Sequence, residues 1–241
     1  MISNKYRQEL IDFLENALKY IDVAELAKHY NNANNWKYDE LLAHTDCYYK
    51  LGASKIVLCF DEFDDIVIKI PFTGHFISGE YEEFYYAGLN VNTTLDNDWD
   101  YCEAEMTIFQ EIESDYPELT DFFCETEFLG YIQEHPFYIQ ERVKTVASKM
   151  DSQEYLETYS PSEENIKSLS ESLEYSDFIG FLTDKDDTLN IFGVSCDNYG
   201  IDLIKELIEF CDKHIEDLHN SNYGFNNEGV IQIFDYCGFN D

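Results

Sequence analysis

The residues best suited to chemistry are Asp217, Asn222 and Asp235. They stand in the strings Asp217-Leu-His-Asn-Ser-Asn222-Tyr-Gly and Val230-Ile-Gln-Ile-Phe-Asp235-Tyr-Cys-Gly238. An Asp and an Asn share a loop that follows an apolar helical stretch; a short β-rich run then presents a second Asp ahead of a glycine-containing turn. Phosphoryl transfer needs this set of groups: one carboxylate to orient the attacking hydroxyl, and an Asn and an Asp whose oxygens hold Mg²⁺ against phosphates. Plainer roles exist for each residue. Asp217 can end the helix, Asn222 can supply a left-handed turn residue before Gly224, and His219 suits a loop hydrogen bond better than a metal, since no second His or Cys lies at ligand spacing.

The elements that must position these residues follow from hydrophobic periodicity. Lys5 to Lys19 carries Leu10, Ile11, Phe13, Leu14, Ala17 and Leu18 at helical spacing, and a short helix is expected over Val23 to Tyr30, with Asn-Asn-Ala-Asn-Asn-Trp36 as a loop. From Cys47 the period changes to that of strands: Tyr48 to Leu51, Lys55 to Phe60 and Asp65 to Ile70, an antiparallel meander with tight turns. No order is assigned between Pro71 and Asp100. Tyr101 to Ile112 returns to helical spacing, and two strands follow, Glu127 to Ile132 and Phe137 to Val143. Beyond them Ser160-Pro161 starts a helix with the stripe Ile166, Leu169 and Leu173, and a last helix spans Ile201 to His214. Strands, helix, strands, then helices make an α+β protein with a sheet lobe and a helical lobe.

With these strings in place, the sequence resembles the protein-kinase-like superfamily, in the small-molecule and atypical branch whose catalytic loop is D-x-H-x-x-N. Asp217-Leu218-His219-Asn220-Ser221-Asn222 matches that loop, and Asp235-Tyr236-Cys237-Gly238 is similar to Asp-Phe-Gly with one inserted residue. The resemblance covers residues 48 to 241. It implies a bilobal fold with an antiparallel sheet lobe and a reduced helical lobe, binding ATP and Mg²⁺. By the same resemblance Asp217 is the catalytic base, and Asn222 with Asp235 are the metal ligands. Lys69, in Ile66-Val-Ile-Lys69-Ile, corresponds to the strand lysine that contacts the α- and β-phosphates. Glu105, preferred over Glu103 because Phe109 follows four residues later, is its ion-pair partner. Gly52, in Leu51-Gly52-Ala53-Ser54-Lys55, marks a degenerate phosphate-covering hairpin with one glycine where three are usual, and Tyr138 to Val143 leads into the adenine-binding hinge. The corresponding segments are 1–46 as an N-terminal helical part with no counterpart, 47–143 as the sheet lobe, and 144–241 as the helical lobe with the catalytic-type loop. Against this, Lys69 could solvate an edge strand and Glu103 and Glu105 could be solvated helix positions.

The sequence ends three residues after Gly238, where protein kinases continue through an activation segment and peptide-binding helices. A conventional peptide platform is not expected, and both a reduced kinase and a nucleotide-binding pseudoenzyme fit.

Composition narrows the partners. Acidic residues number 50 against 15 basic, a formal net charge of -35, which repels nucleic-acid phosphates and anionic membranes alike. Direct nucleic-acid or membrane binding is not expected. The same surface can be merely solvating, or can meet a basic host protein. In the latter case the chain is an inhibitor, a duplex mimic or an anti-defence factor of phage or mobile-element type on a silent kinase-like scaffold. Aromatic residues at 16% supply ample core, so the charge does not imply disorder. The seven cysteines form no Cys-x-x-Cys pair and are odd in number, which favours reduced thiols, Cys237 included, over disulfides or zinc. The opening Met-Ile-Ser-Asn-Lys-Tyr-Arg is no signal peptide, so a soluble cytoplasmic protein is expected.

Overall fold

A computed structural model of the chain describes residues 4–28, 36–52, 54–72, 83–86, 89–92, 101–145, 152–172, 185–215 and 222–236. In chain order its elements are α1 (Asn4–Ala17), α2 (Val23–Leu26), α3 (Trp36–His44), β1 (Cys47–Leu51), β2 (Lys55–Phe60), β3 (Ile66–Pro71), β4 (Glu83–Tyr86), β5 (Leu89–Asn92) and α4 (Tyr101–Asp115). There follow β6 (Thr126–Ile132), β7 (His135–Glu141), β8 (Lys144–Thr145), α5 (Ser152–Thr158), α6 (Glu163–Ser172), α7 (Lys185–Tyr199), α8 (Ile201–His214), β9 (Tyr223–Phe225) and β10 (Ile231–Ile233). The fold is α+β. Among the described residues no helix is long and apolar enough to cross a membrane.

Two units divide the chain, the first from Met1–Phe84, Asn90–Thr107 and Glu125–Arg142, the second from Tyr85–Leu89, Ile108–Cys124 and Val143–Asp241. The first is built on an antiparallel sheet of order β1-β2-β3-β7-β6. Strand alternation sorts its side chains. Ile56, Leu58 and Phe60 of β2 and Ile66, Ile68 and Ile70 of β3 share one core with Leu10, Leu14 and Leu18 of α1. Each of those leucines is fully buried, worth about 1.5–3 kcal/mol. The described helices α1, α2 and α3, in the stretch with no assigned counterpart, thus share the core on one face of the sheet. Lys55 and Lys69 alternate onto the opposite face.

Two side chains tie the helices to that sheet. Arg7 of α1 donates to the carbonyls of Phe128 and Leu129, at 3.2 Å to the latter, and pairs with Glu127 at 3.1 Å, where the register shifts between Phe128 and Gly130. Gln133 sits in the β6–β7 turn with φ 49, followed by Glu134 at φ 67, the left-handed pair that a two-residue hairpin requires. Its amide donates to the carbonyls of Leu18 and Ile21, both at 3.0 Å, and its Oε1 accepts from Val23 N at 3.3 Å.

In the second unit, β8, β9 and β10 form a three-stranded antiparallel sheet packed with the apolar face of α8 (Ile204, Leu207, Ile208, Cys211) and with α7. Ser195 of α7 accepts from Ile231 N at 3.0 Å and donates to the Ile191 carbonyl at 2.8 Å, which clips β10 to the helix.

Several boundaries differ from the sequence reading. The helix expected over Val23 to Tyr30 is only α2. Lys37 donates its ammonium to the carbonyls of Glu25 (2.5 Å), Leu26 (3.1 Å) and Lys28 (2.7 Å), occupying the acceptors that further helical turns would use. Residues 29–35 lie outside the described set, and Trp36, expected to close a loop, opens α3 instead. The helix at Ser160-Pro161 starts at Glu163, because Ser162 is the cap whose Oγ accepts from Asn165 N at 3.4 Å. Leu173 of its stripe is outside the described residues. Neither α5 nor α7 was anticipated. Residues 191–196 of α7 are buried on every side, which erases the one-sided stripe by which a helix is recognised.

Candidate functional site

The expected site residues fall into two groups, one in each unit. In the first, Lys69 stands on β3, a central strand rather than an edge, so the edge-strand alternative fails. Its ammonium donates to Glu105 Oε2 at 2.6 Å. Lys69 is 3% exposed and Glu105 0%, which removes the solvated reading of Glu105. Glu103, the competing partner, is exposed.

The Glu105 carboxylate serves more groups than Lys69. Lys55 of β2, itself 2% exposed, donates to Oε1. Thr126 of β6 donates to Oε2 at 2.9 Å, and Gln140 of β7 donates to Thr126 Oγ1 at 2.9 Å, across the direct strand pair Thr126↔Gln140. Three strands therefore converge directly on one carboxylate carried by α4, and β7 reaches it through Thr126. Burial alone would raise its pKa. The two ammonium groups, by charge and by hydrogen bond, outweigh that and hold the carboxyl well below the usual carboxylate range. Among the described residues Glu105 is the sole hydrogen-bond acceptor for Lys69, whose ammonium carries three N–H donors. Lys55, Thr126 and Gln140 were not picked out from sequence. Only the strand register brings them to Glu105.

Gly52 closes the β1–β2 turn, its N–H donating to the Lys55 carbonyl at 2.9 Å. A Cβ there would meet that oxygen at 3.5 Å, an ordinary contact, so the turn does not demand glycine on steric grounds.

The second group is Asn222 and Asp235, which flank the β9–β10 hairpin. Its register pairs Tyr223 with Ile233, and Phe234 N donates to the Asn222 carbonyl at 2.8 Å. The Asn222 side chain reaches the Asp235 carbonyl at 3.4 Å. The two expected ligands are thus neighbours. The hairpin turn is shaped by Asn226, whose Oδ1 accepts from Glu228 N (2.9 Å) and Val230 N (3.1 Å), and by Tyr155 and Tyr159, which donate to the carbonyls of Gly229 (2.7 Å) and Asn227 (2.9 Å). On its other side Asp235 is bracketed by Ile233, whose carbonyl accepts from Cys124 N at 2.9 Å, and by buried Tyr236, which donates to the Cys124 carbonyl at 2.8 Å.

Asp235 itself has φ 59. A left-handed non-glycine conformation costs about 1–2 kcal/mol and persists where surrounding structure over-determines it, often at functional sites. Two oxygen-bearing side chains, Asn and Asp, are hard donors suited to Mg²⁺ when a phosphate completes the set. Among the described residues no three His, Cys, Asp or Glu side chains gather where they could hold a metal without such help. Asp217, His219, Cys237 and Gly238 lie outside the described residues. The remaining six cysteines are free and buried, and burial pushes the Cys196 thiol up to about 12, so it is an inert packing group at neutral pH.

Comparison of the sequence with protein-family models finds no match, and comparison with curated proteins finds none either.

Proposed function

We propose that the chain is a kinase-like nucleotide-binding protein with a sheet lobe and a reduced helical lobe, which uses ATP and Mg²⁺. The observation that carries this reading is the buried Lys69–Glu105 pair. A strand lysine locked by a helix glutamate is the arrangement that phosphoryl-transfer catalysts of the protein-kinase type need in order to hold α- and β-phosphates. Burying an ammonium has a desolvation penalty, and Lys69 keeps N–H donors beyond its bond to Glu105 for phosphate oxygens. The adjacency of Asn222 and Asp235, and the left-handed backbone of Asp235, support the metal assignment.

In this reading Lys69 orients the phosphates and Glu105 keeps its ammonium from swinging away. Asp217 accepts the proton of the hydroxyl that attacks, and Asn222 and Asp235 hold Mg²⁺. The bound ion supplies charge neutralisation at the phosphates, which matters more than usual in a chain of net charge -35. A phosphotransferase and a nucleotide-binding pseudoenzyme share all of these features except turnover through Asp217, and the acceptor defines the former. Residence in the cytoplasm accords with six buried thiols in the free state.

Thermal denaturation tests the proposal. ATP with Mg²⁺ at about a hundred times Kd should stabilise the fold by about 2.7 kcal/mol. The gain should vanish in Lys69→Ala and in Asp235→Ala; an unchanged melting temperature at saturating MgATP rejects it.

One observation favours a second reading: the net charge of -35. On this view the chain binds and blocks a basic protein, as a duplex mimic or anti-defence factor does, on a catalytically silent scaffold. A salt-sensitive complex with a basic protein, unaffected by Asp217→Ala, would favour it.

A further inference from the structure

We propose that Lys55 is a second phosphate-binding lysine of this site, so that a nucleoside di- or triphosphate meets two ammonium groups, Lys55 from β2 and Lys69 from β3. The inference rests on the nucleotide-binding reading above and adds a residue which that reading does not require. Its basis is the shared carboxylate. Lys55 and Lys69 are diagonal neighbours on one sheet face, through the strand pairs Lys55↔Pro71 and Val57↔Lys69. Each reaches its own oxygen of Glu105, Lys55 at Oε1 and Lys69 at Oε2. Lys55 also follows directly on the β1–β2 turn, with its carbonyl closing that turn against Gly52 N.

As scaffolding alone the arrangement is poor. Each buried ammonium carries its own desolvation penalty. The same strand face continues as Val57 and Cys59, so an aliphatic residue at position 55 would suit packing as well or better. The arrangement does suit a ligand with adjacent phosphoryl groups. Glu105 fixes both amines before the ligand arrives, which leaves little side-chain entropy to be lost on binding. Each phosphoryl group then takes one ammonium, a compact point charge with several donors. A nucleoside without phosphates gains nothing from either lysine.

An acyl phosphate of ATP tests this on the unaltered protein. The lysine nitrogen attacks the acyl carbonyl, an amide forms, the acyl–oxygen bond breaks, and the nucleotide departs on its phosphate oxygen while the amine loses its proton. Peptide mapping by mass spectrometry should find the acyl group on both Lys55 and Lys69, with excess MgATP protecting both. Label on Lys69 alone overturns the proposal and leaves the nucleotide site standing. Label on neither lysine, or label that MgATP does not prevent, overturns both readings. Titrations with Lys55→Met add a readout that a structural role would not move: ADP affinity should fall roughly tenfold to a hundredfold while adenosine affinity stays the same. Equal loss for the two ligands makes Lys55 a scaffold residue and ends the proposal. Because the labelling uses the natural chain, it decides the matter even if Lys55→Met fails to fold.

Discussion

Glu105 is a single carboxylate with two ammonium groups and a hydroxyl on it, and its removal should be felt more than that of any one partner. Glu105→Gln leaves Lys55 and Lys69 buried without that charge, and should destabilise by about 3–5 kcal/mol in urea titration. Lys69→Ala leaves Glu105 still paired with Lys55, so a smaller loss of about 1–3 kcal/mol is expected. The pH dependence has a definite sign. The folded pKa of Glu105 lies below its unfolded value, so its contribution is fully present above the ordinary carboxylate pKa of about 4.3 and is lost as pH falls through the folded value. The stability gap between the natural chain and Glu105→Gln should therefore be constant from neutral pH down to that range and narrow below it. A gap that widens on acidification contradicts the assignment. The choice of Glu105 over Glu103 was available from sequence because Phe109 lies one turn on, on the face of α4 that turns inward. Lys55 was not, since a lysine at a strand's start looks like a solvated end until its register with β3 is known.

At the level of elements, the β9–β10 hairpin sets Asn222 beside Asp235, and its turn depends on Gly229. That residue has φ 77, and a Cβ would lie 2.5 Å from the ring of Tyr159. Gly229→Ala should cost more than the roughly 1 kcal/mol of a backbone penalty alone, because the ring is itself tied to Asn227. Thermal melts read the loss of stability, and the proposed metal assignment of Asn222 and Asp235 expects a parallel loss of Mg²⁺-dependent nucleotide binding. A melt equal to that of the natural chain contradicts this. The meander, β6 and β7 were legible as short β-rich runs bounded by turn residues, and α4 and α8 by apolar residues at helical spacing. By contrast α7, enclosed over residues 191–196, carries no such stripe, and α2 is cut short by Lys37, a partner distant in sequence. Local pattern cannot register either cause.

Across the whole molecule, 50 acidic residues against 15 basic set a repulsive surface. The Debye length falls from about 30 Å at 0.01 M salt to about 3 Å at 1 M, so the melting temperature should rise with added NaCl; a fall would mean that attractive surface pairs dominate. The same charge opposes an anionic nucleotide, so binding should require a divalent ion. The proposed function requires Lys69 and Asp235 each for binding of MgATP. Titration calorimetry with ATP tests it most directly. A saturable, one-to-one heat that needs Mg²⁺, and that disappears in folded Lys69→Ala and in folded Asp235→Ala, is the expected result. Heat that survives both substitutions, or none from the natural chain at millimolar nucleotide, would contradict it.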